Sequence, residues 1–280
     1  MVQSFSVSEP AVTTIPGNKN YRAPSLFAAS ALLREARRQK NLETKSVPPI
    51  CILDPDGDIV RRLRRSGDSQ QFEAWPCYHT QLDTFSLSDQ TVGIIGCAVG
   101  APFAVLIAEE LFASGCKFLI SLTSAGRIAS SDKSPFFVII DRALRDEGAS
   151  YHYAPPAEFA HADPALIALA CEAVREKPQK VIVGTSWTTD APFRETAEAI
   201  EWAQSKNAIA VEMEAAALYT FAQVAKVKIL CLAHVTNTMG QGGEDFEKGE
   251  ADGTADALAV LAAISQMANG QLKIRHSTAP

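Results

Sequence analysis

Apolar runs alternate along this chain with amphipathic stretches, and that alternation predicts an α/β fold. ICIL (50–53), TVGIIGCAVG (91–100), KFLISLTSAG (117–126), PFFVII (135–140), QKVIVGTSW (179–187), AIAVEM (208–213) and VKILCLAHVTN (227–237) read as buried strands. Weaker, half-buried strand signals lie around 70–76 and 80–86. Helical spacing fills 24–40, 101–115, 163–175, 194–205, 214–226 and 252–268. In the first of these, Leu26, Phe27, Leu32 and Leu33 oppose a basic side bearing Arg34, Arg37 and Arg38. Strands alternating with helices indicate a largely parallel sheet covered on both faces. Such sheets bind ligands at the carboxyl ends of their strands. Residues 1–23, rich in Ser, Thr, Pro and Asn, are expected to form a flexible arm. Without repeats or linkers, 24–270 reads as a single domain and 271–280 as a C-terminal tail.

Composition narrows the function classes. The chain has 280 residues, enough to bury a sizeable core in one domain. Its 32 acidic residues exceed its 26 Lys and Arg, for a net charge of −6, which argues against nucleic acid as a partner. No apolar run approaches the roughly 20 residues that span a bilayer, and the N-terminus lacks a secretory pattern, so no membrane association is expected. Six cysteines stand singly, mostly in apolar stretches, and read as reduced core residues of a cytoplasmic protein. The histidines show no metal-ligand spacing, and neither GxGxxG nor a Walker A sequence occurs; no metal and no cofactor is expected.

Candidate chemistry gathers where strands end. Small or polar clusters follow the apolar runs: AVGAP, TSAG, TSWTTDAPF, VEMEAAA and VTNTMGQGG. Val211-Glu212-Met213-Glu214 is the most unusual, because its two carboxylates leave a strand that should be buried. An ionised carboxylate there needs partners. The vicinal hydroxyls of a sugar would supply two donors; a helix N-terminus would equally stabilise the charge. The run Arg61-Arg62-Leu63-Arg64-Arg65 reads first as a solvated helix face, with displaced cations for a site as the other reading.

Several segments resemble one family in the right order. GASYHYAPPAEF (148–159) is similar to the GASLHFAPLEF of bacterial uridine phosphorylases, and TTDAPF (188–193) resembles their SSDTFY. VEMEAAALY is similar to a signature shared across the nucleoside phosphorylase-I superfamily. GCAVGAPFAVLIAEELFASGCKFLISLTSAG resembles that superfamily's glycine-rich loop, helix and following strand. The resemblance covers about residues 50–268. It implies a three-layer α/β/α sandwich with a mixed, partly closed central sheet, and a homo-oligomer, dimer or hexamer. It also implies cleavage of an N-glycosidic bond at a sugar C1′ in a small nucleoside-like substrate. By match, Met213 packs against the sugar, Glu214 accepts its hydroxyls, and Glu212 supports Glu214. Trp187 and Phe193 wall the base, and Thr123 and Asn237 complete the substrate-binding set.

The anion site departs from the family pattern. Where the family has GDPxR, this chain has Leu53-Asp54-Pro55-Asp56-Gly57-Asp58. Two further arginine positions hold Gln70 and Ser121, and only Ser124 keeps a hydroxyl for phosphate. Three vacant guanidinium positions and three carboxylates crowding the first loop argue against orthophosphate as co-substrate. Related nucleosidases activate water from this loop, and Asp56 or Asp58 would take that role here, unless DPDGD is only a turn. Two alternatives to phosphorolysis therefore stand: phosphate-independent hydrolysis, and a non-catalytic or repurposed nucleoside-binding protein.

Overall fold

The computed structural model describes residues 17, 19–128, 135–238 and 253–277; side chains at 237–238 and 274–277 lie outside that description. Strand β1 (Ile50–Asp54) is buried at every position, as its unbroken apolar run requires, and pairs in parallel with β4 (Gln90–Gly96) and β5 (Phe118–Arg127). Beyond β4 the sheet ends in antiparallel β3 (Asp83–Leu87) and β2 (Ser69–Gln71). On the other flank, β10 (Lys228–Thr238) runs parallel to β5 and antiparallel to β6 (Phe136–Asp146). Next, β8 (Val181–Thr189) lies parallel to β6, and β9 (Ala208–Glu212) parallel to β8. Because β9 also pairs antiparallel with β5, the strands β5-β10-β6-β8-β9 close on themselves. Short β7 (Phe159–His161) attaches to β6.

Helices cover both faces. Apolar residues of α3 (Ala101–Ala113) and α6 (Ala215–Ala225) build one core; those of α2 (Asp58–Ser66), α4 (Pro164–Val174) and α7 (Thr254–Ser277) build the other. Helix α5 (Ala197–Ser205) packs beside β9, and α1 (Ala29–Lys40) packs on α3. This is the three-layer sandwich with a mixed, partly closed sheet that the resemblance implies; a largely parallel sheet, as read from alternation alone, is corrected by the β3, β6 and β9 pairings.

Several boundaries differ from the sequence pattern. Helix α1 begins at Ala29, not Pro24: Ala28 is extended, and Leu26 and Phe27 are exposed ahead of the helix rather than on its apolar side. Strand β6 continues six residues past the apolar run, through Arg142 and Arg145. Helix α7 runs through Ser277, so the expected tail is helical to that point. Most of the expected N-terminal arm lies outside the described residues, but its end is held: Lys19 Nζ lies 2.8 Å from His152 Nδ1, and the Tyr21 hydroxyl donates to the Tyr151 carbonyl. Among the cysteines Cys97 is exposed, contrary to the core reading.

The closure places the site. Only the last residues of β5 and β9 pair, Gly126 with Val211 and Arg127 with Ala210. Chain leaving β9 at Glu212 therefore turns back along the end of β5, toward Ser124 and Thr123.

Candidate active site

Glu212 and Glu214 are both buried, yet their surroundings differ. Glu212 Oε1 accepts from the hydroxyls of Ser186 (3.0 Å) and Thr188, and Oε2 from the backbone N–H groups of Glu214 and Ala215, both at 2.7 Å. These amides open α6, so Glu212 caps the helix it precedes. Thr188 is fixed as a donor, because its oxygen already accepts the Ala216 N–H. With both oxygens occupied, Glu212 anchors the turn that carries Glu214.

Glu214 is 1% exposed and accepts one hydrogen bond, from Gly100 N–H to Oε1 at 2.7 Å. Its Oε2 is buried without a hydrogen-bond partner among the described residues. Burial raises the pKa of both carboxyls; four donors oppose that rise at Glu212, while at Glu214 the Glu212 and Asp56 charges add to it and the Gly100 N–H and the nearby Thr123 side chain oppose it.

The first loop contributes three aspartates. Asp56 Oδ2 accepts the Ser124 N–H at 2.7 Å, bridging the β1 and β5 ends. Asp54, whose Oδ2 takes the Val60 N–H, is pushed up to about 7, chiefly by burial and with smaller contributions from Asp56 and Asp58. Asp58 opens α2 and pairs with Arg61. Together with Thr123, Ser124, His234 and Thr254, the three aspartates line a pocket of about 30 Å3. No arginine fits at position 57: Gly57 has φ +76, and a Cβ there would meet Cys97 Sγ at 2.5 Å and Arg61 Nη1 at 2.9 Å.

The structure therefore brings together Asp56, Asp58, Thr123, Ser124 and Glu214; Met213, next to Glu214 in the chain, is half-buried. Asn237 pairs with Gly126 through its strand; its side chain lies outside the described residues. Trp187 is not part of the group. Side chains alternate across a strand, and since Ser186 and Thr188 point toward Glu212, Trp187 points to the opposite face. There it is 2% exposed, donates to Asp146 Oδ2 and packs edge-on against Trp202. Phe193 also walls nothing in this chain: it sits on a 3-10 turn and is 99% exposed. Sequence reasoning missed Asp54 as a titrating group, and missed Ser186 and Thr188, whose signal is the polar TSWTT run ending an apolar strand. The arginine run is not simply solvated. Arg61 pairs with Asp58, Arg62 donates to Thr254 Oγ1, and Arg64 holds the buried Asp83 through two hydrogen bonds.

Residues 49–266 match the phosphorylase superfamily model. The chain belongs to the phosphorylase superfamily. Among curated members, the DeoD-type purine nucleoside phosphorylase of Bacillus cereus (strain ZK / E33L) is 30% identical over 168 residues, 58% of this chain and 69% of that protein. The corresponding enzyme of Bacillus thuringiensis (strain Al Hakam) matches to the same extent. Two solved members share the fold. Uridine phosphorylase from Vibrio fischeri ES114 superposes with a TM-score of 0.69 at 20% identity, covering 81% of this chain and 95% of that one. Purine nucleoside phosphorylase from Toxoplasma gondii, in complex with immucillin-H, gives 0.70 at 18% identity, covering 83% and 95%. Relatives named for purine and for pyrimidine nucleosides thus both match this superfamily member. Among its described residues, no helix is long and apolar enough to cross a membrane.

Proposed function

We propose that this chain cleaves the N-glycosidic bond of a nucleoside, with Glu214 binding the sugar hydroxyls. The observation that carries the reading is the buried, unpartnered Glu214 Oε2 at the end of β5, next to Thr123 and Asp56. A buried carboxylate oxygen without a donor is costly, and a sugar hydroxyl removes that cost. Membership in the phosphorylase superfamily supports the same chemistry. Incubation with a panel of purine and pyrimidine nucleosides is expected to release free base. Glu214→Gln should lower kcat/KM by about 10- to 100-fold, the worth of a hydrogen bond to a charged group. Undiminished base release by that variant would remove Glu214 from the site.

A second reading concerns the nucleophile, and the first loop favours water over orthophosphate. Asp56 occupies the Ser124 N–H, a donor that would otherwise be available to a phosphate. Asp56, with Asp54 when ionised, would repel a phosphate anion. With its pKa at about 7, Asp54 can accept a proton from water near neutrality. The water oxygen then bonds to C1′ as the C1′–N bond breaks, and the departing base takes up a proton. Base release at the same rate with and without orthophosphate is the expected result. Release only in its presence would establish phosphorolysis instead.

A further inference from the structure

A second cavity, of about 670 Å3, lies on the other side of the first loop. Gly57 lines it between Asp56 and Asp58, which line the carboxylate pocket, and Gly96 and Cys97 lie beside Gly57; α2, the β2–β3 segment and the end of α1 enclose the rest. Cys97 is three residues from Gly100, the Glu214 partner, so the two sites are separated by no more than about 11 Å of chain. The lining offers cationic donors, although Asp58 and Asp83 pair with its two arginines from behind. It includes Lys40, Arg61, Arg64 and His79, against a single carboxylate, Glu73.

Its two guanidiniums are held in place from behind. Buried Asp83 grips Arg64 through Nε and Nη2, at 2.6 and 3.0 Å, leaving Nη1 outside that pair. Asp58 holds Arg61 through Nη2, and Arg61 Nη1 faces Cys97 Sγ at 3.7 Å. Lys40 is fixed by the Pro76 and Cys77 carbonyls. Such clamping limits the rotamer entropy lost when an anion docks, and planar guanidinium edges match phosphate oxygens. On the sugar side the charges are reversed, since Asp54, Asp56 and Asp58 line that pocket. A ligand bridging both cavities would put hydroxyls against carboxylates and an anion against arginines.

We infer that this cleft holds a phosphate monoester carried on the sugar of the substrate, making the chain selective for nucleoside monophosphates over nucleosides. The inference rests on the sugar-binding reading of Glu214, and the test separates the two. Titration calorimetry on the full chain, with ribose 5-phosphate, ribose and inorganic phosphate, reads the cleft directly. Ribose 5-phosphate is expected to bind at least about tenfold more tightly than either other ligand, and Arg61→Gln to remove that advantage. His79→Gln should weaken it as well, and in the wild type the advantage should shrink as salt rises. In parallel, the ratio of kcat/KM for 5′-monophosphates to that for nucleosides is expected to exceed about ten and to fall toward one in Arg61→Gln. Equal binding of ribose and ribose 5-phosphate overturns the cleft assignment. So does inorganic phosphate binding as tightly as the ester, which would mark a free-phosphate site. Cleavage of nucleosides with no preference for monophosphates overturns it too, while leaving the glycosidic chemistry standing. Arg61-sensitive binding of ribose 5-phosphate without any base release keeps the cleft and removes the proposed reaction.

Discussion

Glu212 accepts four hydrogen bonds and Glu214 one, although a single methionine separates them and both are buried. The difference makes them respond oppositely to substitution. In Glu212→Gln, the amide N–H2 replaces an acceptor where two hydroxyls or two backbone amides converge, leaving buried donors unpaired at about 1–3 kcal/mol each. Glu214→Gln removes a carboxyl that burial and two neighbouring charges already disfavour. Thermal melts at pH 8 should therefore show Glu212→Gln falling by several degrees, at about 2–4 °C per kcal/mol, and Glu214→Gln unchanged or higher. Equal melting of the two variants would sink this division of roles. From sequence, VEME marked the right turn because paired carboxylates ending an apolar strand are rare there. Which of the two was free could not be read, since that depends on Ser186 and Thr188, about 25 residues upstream. Trp187 misled for a related reason: composition shows an aromatic next to the site, whereas pleat parity decides which way it points.

At the scale of elements, apolar periodicity located α3, α4, α5 and α6 to within a few residues, along with the amino-terminal ends of most strands. It failed where charged side chains are satisfied inside a strand. Arg142 donates to Thr185 Oγ1, while Arg145 donates to Ser150 Oγ and the Ala154 and Pro155 carbonyls. Those partners let β6 continue through positions whose charge reads as a strand end. Closure of the sheet was equally hidden, because it depends on pairings between strands distant in sequence. One side chain marks that seam. The β10–β6 ladder runs from Leu232–Ile139 to Val235–Phe136, and just beyond it the buried Tyr219 hydroxyl donates to Ile140 O and accepts from Cys231 N–H. Tyr219 thus replaces the next ladder rung from helix α6. Tyr219→Phe keeps the ring but strands both backbone groups, at a cost of about 1–3 kcal/mol. Urea unfolding should show a lower midpoint with an unchanged slope; a midpoint equal to wild type would mean that the two groups find other partners.

Over the whole molecule, buried acids set how stability depends on pH. Asp54 and Glu195 are pushed up to about 7, and Glu110, Glu147, Glu212 and Glu214 are also raised, in each case chiefly by burial. Among the described carboxyls, Glu35 and Glu198 shift downward, but both are exposed and screened by solvent. The native state therefore keeps protons that the unfolded chain, with carboxyls near 4, has already lost. Stability falls as pH rises wherever the native state holds more protons. The loss begins at the unfolded pKa and continues until the raised native groups have ionised, a window from about pH 4 to about pH 8. Melting temperature should accordingly be higher at pH 6 than at pH 8, and Glu214→Gln should reduce the difference by removing one contributor. Sugar binding acts in the same direction as mutation: hydroxyls donated to Glu214 favour its ionised form, so a bound nucleoside should raise melting more at pH 8 than at pH 6. A ligand-induced rise that is larger at pH 6 would place the sugar away from Glu214.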